Sequence, residues 1–181
     1  MSSKTTLPFK FLGYYDVTPF IEKLDSLDWD AYDERQRTRA GMRDTFTYPL
    51  IWDINFKQSV AWPFYDTFAN QVEELKDLMD TVFGPGEMQT CVLTNLPSGK
   101  KITLHYDRGA VFCDSHRVHI PIQTNPDVIF KVGDQELNMK VGSVWEINNS
   151  HKPHGVFNYG NTDRIHLMID WKFDQVNYQQ D

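Results

Sequence analysis

The sequence predicts a mostly β fold with bracing helices, a sandwich or barrel for which the jelly roll is the leading candidate. Three observations predict it. After Gly86 the chain breaks into about eight short β-rich runs separated by turn signals, the texture of an all-β sandwich or barrel. Before Gly86 it carries one long amphipathic stripe, and nowhere is there an internal repeat, a low-complexity tract or a convincing linker. A chain of 181 residues, 40% hydrophobic and 14% aromatic, is long enough to bury a substantial core as one domain.

The elements follow in order. At residues 17–27, Thr18 suits an N-cap with Pro19 at the first helical position, and Phe20, Ile21, Leu24 and Leu27 recur at helical spacing. Residues 45–54, TFTYPLIWDI, read as extended. From 63 to 82 the residues Phe64, Phe68, Val72, Leu75, Leu78, Met79 and Val82 follow a 3.6-residue stripe, which the GPG at 84–86 ends. Strands are expected at 88–96, 101–105, 116–123, 128–132, 135–139, 143–147, 154–159 and 164–171, joined by PSGK, TNPD, VGDQE, KVG and YGNTD. Residues 1–86 then form a mixed helix and strand support, and 87–175 the jelly-roll core of a single domain, 1–181.

Composition removes several function classes. The formal net charge of −7 argues against a surface that neutralises nucleic-acid phosphates. The one basic cluster, residues 33–43, is diluted by acids and reads as a solvated face, with an anionic-ligand patch as the alternative. Cys91 and Cys113 are too few to staple the domain and form no CxxC pair, so a reducing, cytoplasmic setting is expected. The N-terminus has no long apolar h-region, and no run is long enough to cross a bilayer, so no membrane partner is expected. The NNS at 148–150 matches a glycosylation sequon by letters alone.

Chemistry begins at LHYDRG, residues 104–109. In a strand, positions i and i+2 share a face, so His105 and Asp107 present an imidazole and a carboxylate to one point while Tyr106 turns away. A lone HxD is common, and by itself describes a hydrogen-bonded pair at a strand end. Downstream, NNSHKPHGVFN supplies His151 and His154, the latter opening a strand able to run beside the first. Two histidines and a carboxylate on one side of a metal form the facial triad of non-haem Fe(II) oxygenases. The same donors serve zinc.

Arg164 favours iron. In RIHLMIDW, Ile165, Leu167 and Ile169 take one face, and Arg164, His166, Met168 and Asp170 the other. An inward guanidinium needs an anionic partner, and its fork matches a carboxylate, as a diacid cosubstrate near iron would require. In HRVHIPIQT, Arg117, His119 and Pro121 likewise share a face, against Val118, Ile120 and Ile122. Two Arg/His faces suggest one polar cavity; the outer polar face of a half-buried sheet is the competing reading.

The ordered set HYD, RVHIPI and WEINNSHKPHGVFNYGNTDRIHLMID resembles the aspartyl/asparaginyl β-hydroxylase family of Fe(II)/2-oxoglutarate-dependent dioxygenases, and is similar to the small bacterial proline 3-hydroxylases. The resemblance covers about residues 104–171. It implies a double-stranded β-helix, a jelly-roll, cupin-like barrel with the metal near its mouth. It implies that His105, Asp107 and His154 are the catalytic iron ligands and that Arg164 anchors the distal carboxylate of 2-oxoglutarate. Arg117 and His119 fall on the family's RxH positions, which border the cosubstrate and substrate pocket. Some members lack the carboxylate ligand; here Asp107 occupies its place. The family pattern, an apolar residue two after the ligand and an arginine ten after it, favours His154 over His151.

The implied activity is hydroxylation of a C–H bond in an amino acid or an Asp/Asn-type peptidyl side chain, consuming O2 and releasing succinate and CO2. Spacing assigns no substrate-binding residue. Two other classes compete. A cupin-like metal- or ligand-binding module without oxygenase turnover would have no need of Arg164. A non-enzymatic interaction domain would expose Trp52, Trp62 and Tyr65, residues whose size suits a core instead.

Overall fold

Long-range antiparallel pairing organises the chain. The structure, a computed structural model, describes residues 4–29, 44–52, 58–108 and 114–173. The basic cluster at 33–43 and Cys113 lie outside the described residues. The strands are β1 (Phe9–Tyr14), β2 (Phe46–Trp52), β3 (Val60–Ala61), β4 (Gly86–Leu96), β5 (Lys101–His105), β6 (Ser115–Gln123), β7 (Val128–Val132), β8 (Gln135–Leu137), β9 (Ser143–Ile147), β10 (His154–Asn158) and β11 (Arg164–Phe173). The helices are α1 (Thr18–Ile21) and α2 (Ala69–Phe83). One sheet runs β1-β9-β6-β11-β4-β2-β3 and the other β5-β10-β7-β8, the two-sheet arrangement of a jelly roll.

Alternation divides the side chains into two apolar layers. On the helix side of the larger sheet, Val118, Ile120, Ile122, Ile165, Leu167 and Ile169 pack with Val72, Leu75, Met79 and Phe83 of α2. Between the sheets, Leu96 and Ile147 of the larger meet Val128, Phe130, Val132 and Val156 of the smaller. The second faces of β6 and β11 therefore enter the inter-sheet space, where their arginines and histidines are buried.

Several local expectations change. Thr18 is the first residue of α1 rather than its cap, because the Asp16 carboxylate accepts the Thr18 N–H at 3.0 Å and Val17 takes the cap position. The long helix starts at Ala69, since residues Tyr65–Phe68 tighten into a 3-10 turn in which Phe68 stacks on Phe20. It ends where expected: Gly84, at φ +91°, leaves the helix with its N–H bonded to the Asp80 carbonyl. The expected strand at 135–139 stops at Leu137. β1 is an edge strand missed in the sequence, held by Phe9 and Phe11 against Trp145 of β9. Trp52, Trp62 and Tyr65 are half-buried, the two tryptophans against each other. Among the described residues no helix is long and apolar enough to cross a membrane.

Candidate metal centre

β5 and β10 pair so that His105 and His154 stand directly opposite, their ring centroids 4.2 Å apart. β5 ends at His105, and the following coil returns Asp107 to the same point, tied by its N–H to the Asn149 carbonyl at 3.1 Å. His105 Nε2 then lies 3.6 Å from Asp107 Oδ1, and His154 Nε2 lies 3.5 Å from Asp107 Oδ2. One ligand atom from each residue falls within 4.8 Å of the others. His151, the competing histidine, is exposed in the preceding turn, beside Ser150, and takes no part in this group.

The donor chemistry fits a divalent metal. His105 Nδ1 is 2.8 Å from the Thr103 carbonyl, an acceptor, so Nδ1 donates there and Nε2 is the nitrogen left to face a metal. Burial pushes the His154 imidazole down to about 4, although the Asp107 carboxylate pulls it back up, so the ring is neutral near pH 7. Burial would raise the Asp107 carboxyl, but Arg117, His154, a hydrogen bond from Asn149 and His105 outweigh it and hold the group below its ordinary value. Two imidazoles and one carboxylate make up the 2-His-1-carboxylate donor set of non-haem iron sites, a set zinc also accepts.

Arg164, His119 and His166 form a second buried polar cluster on the inter-sheet faces of β6 and β11. Arg164, at the start of β11, is 1% exposed, and its Nε and Nη2 have no hydrogen-bond partner among the described residues. Burial pulls its guanidinium down to about 9, which leaves it protonated at neutral pH. Phe130 packs beneath it, 5.5 Å from ring centroid to guanidinium carbon. His119 and His166 stand around the same phenyl ring, with centroids 5.0 and 6.3 Å from it. Burial drives both histidines well below the ordinary imidazole value, and Arg164 pushes them further in the same direction. His119 Nδ1 and both ring nitrogens of His166 are buried without partners among the described residues. The cluster thus combines a buried cation with neutral imidazoles, donors whose chemistry suits a carboxylate.

Arg117 occupies the ground between the two halves. Its Nε and Nη2 each donate to Asp170 at 2.7 Å, while Nη1 donates to Asp107 Oδ2. The expected cosubstrate contact is thus on a side chain already held by two carboxylates. Sequence reasoning missed Asn149, whose Nδ2 donates to Asp107 Oδ2 at 2.9 Å, and gave no role to His166 or Asp170. The alternation of β11 had put both on the Arg164 face. Asn149 carried no signal beyond its place in NNS.

The family model described as Aspartyl/Asparaginyl beta-hydroxylase matches residues 29–173. No curated protein matches the chain by sequence. A crystal structure of an oxidoreductase of the 2OG-Fe(II) oxygenase family from Burkholderia pseudomallei is similar at TM-score 0.69 and 16% identity, over 92% of this chain and 86% of that one. A prolyl hydroxylase from Trichoplax adhaerens, in complex with a hypoxia inducible factor oxygen degradation domain peptide fragment, matches at TM-score 0.59 and 11% identity, over 92% and 84%. HygX from Streptomyces hygroscopicus, with nickel, 2-oxoglutarate and hygromycin B bound, matches at TM-score 0.58 and 16% identity, over 94% and 84%. At these identities the structural likeness speaks for the fold, and the family match speaks for the chemistry.

Proposed function

For a chain that belongs to the aspartyl/asparaginyl β-hydroxylase family, and is therefore an Fe(II)- and 2-oxoglutarate-dependent hydroxylase, we propose that His105, Asp107 and His154 hold the iron and Arg164 receives the distal carboxylate of 2-oxoglutarate. The observation that carries this assignment is Arg164 itself. A protonated guanidinium, 1% exposed with two nitrogens unpartnered among the described residues, is costly unless an anion completes it. Under this assignment a dicarboxylate held at the triad by one end places its other carboxylate against that cation. His119 flanks the carboxylate, and Arg117 borders the space from the Asp107 side.

The chemistry supplied by Fe(II) with 2-oxoglutarate and O2 is C–H hydroxylation, with succinate and CO2 as coproducts. The chain contributes positioning. His105 is oriented by Thr103, Asp107 by Arg117 and Asn149, and Arg164 by its packing on Phe130. Neutral His119 and His166 can donate a hydrogen bond to the carboxylate without adding charge.

The substrate under this reading is a free amino acid or an Asp/Asn-type side chain of a peptide. Structural relatives include one with a peptide and one with a small molecule bound, which supports that breadth. We place the protein in a reducing cytoplasmic setting, which suits Cys91, a buried free thiol that burial pushes up to about 12. The test is anaerobic addition of Fe(II) and then 2-oxoglutarate. A visible metal-to-ligand charge-transfer band should develop, be lost in Asp107→Ala, and require more 2-oxoglutarate in Arg164→Ala; folded wild-type protein without the band would refute the proposal. Succinate release across amino acids and peptides then identifies the substrate.

A further inference from the structure

Asp170 has no direct contact with the triad, yet its geometry bears on the triad's carboxylate. It lies on β11, 1% exposed, with its Cα opposite that of Arg117 on β6. Both of its oxygens accept from Arg117, Oδ1 from Nε and Oδ2 from Nη2, each at 2.7 Å. A guanidinium is planar, so this fork fixes the direction of the remaining nitrogen. That nitrogen, Nη1, meets Asp107 Oδ2.

Asp107 needs the support because it lies in coil beyond the end of β5. Arg117 and Asn149 both donate to Oδ2, which leaves Oδ1 turned toward His105 Nε2. Charge matters as much as direction. An arginine touching a metal-ligating carboxylate would by itself oppose a divalent cation there. Asp170 cancels that charge, so the ligand keeps its hydrogen bond without a net positive neighbour.

We propose that Asp170 is a positioning residue of the metal centre, acting only through Arg117 to aim Asp107 and to neutralise the guanidinium beside it. The inference rests on reading His105, Asp107 and His154 as the metal ligands. It extends the site to a residue on the central strand of the larger sheet, and gives Arg117 a role toward the metal ligand rather than toward the cosubstrate.

Co(II) titration of the metal-free protein, followed by the visible absorption of the bound ion, tests it without turnover. Asp170→Asn should bind Co(II) about 10- to 100-fold more weakly than wild type, the range of losses for groups that support metal ligands. In Arg117→Met/Asp170→Asn the guanidinium that Asp170 balances is removed too, so affinity should recover several-fold over the single variant while staying below wild type. A purely structural role predicts a double variant no tighter than the single one, and that result would overturn the proposal. Asp170→Glu keeps the charge but displaces the fork, and should fall between wild type and Asp170→Asn. Wild-type affinity in either single variant, with folding verified by circular dichroism, would also overturn it, and the Glu variant decides alone if the Asn variant does not fold. Wild-type protein that bound no Co(II) would instead refute the triad reading.

Discussion

The guanidinium of Arg164 lies over the ring of Phe130 at 5.5 Å, while its Nε and Nη2 are unpartnered among the described residues. A cation–π contact returns about 1–2 kcal/mol, less than the several kcal/mol that an unpaired buried charge costs. Arg164→Met should therefore stabilise the ligand-free protein, by about 1–3 kcal/mol in urea unfolding. The same variant should lose the rise in Tm that 2-oxoglutarate gives wild type. A variant less stable than wild type, or one still stabilised equally by 2-oxoglutarate, would remove Arg164 from the role of carboxylate receptor.

The buried imidazoles make stability depend on pH in a defined direction. His154 falls from an ordinary 6.5 to about 4 in the folded state, chiefly through burial, and His119 and His166 are lowered well below 6.5 for the same reason. Below pH 6.5 the unfolded chain binds protons that the native sites refuse, so stability is full above that pH and declines as pH falls toward 4. His154 alone accounts for about 3 kcal/mol across that window, at about 1.4 kcal/mol per pH unit. Asp107 is lowered in the folded state as well, so its contribution is full above the unfolded carboxyl range and is lost in stronger acid, as pH falls through its folded value. Urea-unfolding free energies of the metal-free protein should slope downward from pH 6.5 to 4, less steeply in His154→Gln. A flat profile in wild type would contradict the burial of neutral imidazoles.

How much of this was legible in the sequence depended on whether the signal was local. The alternation of RIHLMIDW and HRVHIPIQT correctly separated Ile165, Leu167, Ile169, Val118, Ile120 and Ile122, which join the helix-side core, from the buried Arg/His faces. HxD and a later histidine could be read because a metal needs a small set of donor types, and the structure brings those side chains together. β1 was not legible, since its stability comes from pairing with β9 about 130 residues later and its burial pattern is only partial. Asn149 and Asp170 were illegible for a related reason. Each acts across a long sequence separation, 42 residues for Asn149 to Asp107 and 53 for Asp170 to Arg117, and an isolated Asn or Asp does not announce its partner.

Asn149 gives a prediction of its own. Its Nδ2 donates to Asp107 Oδ2 at 2.9 Å while its backbone carbonyl accepts the Asp107 N–H, so side chain and main chain hold the same residue. Asn149→Ala removes only the first. Mn(II) affinity should drop by about tenfold, with the thermal transition of the metal-free protein changed little. Unaltered Mn(II) binding would mean that Arg117 suffices to orient the carboxylate.

Gly155 separates the effect of strand spacing from that of ligand chemistry. It follows His154 on β10, at an irregularity in the pairing with β5, and a Cβ built there would lie 2.7 Å from the Ile102 carbonyl oxygen and 3.1 Å from the Leu104 nitrogen. Both atoms are backbone, so no side-chain rotation can relieve the clash; β5 itself must move away from β10. His105 is the last residue of β5, so such a shift changes its distance from His154 without altering any donor atom. Gly155→Ala should cost about 1–3 kcal/mol of stability, the usual penalty for overpacking. It should also weaken Mn(II) and Co(II) binding in parallel, about tenfold or more, because both ions use the same misplaced donors. If stability falls while both metal affinities stay at the wild-type value, the β5–β10 spacing does not set the geometry of the triad.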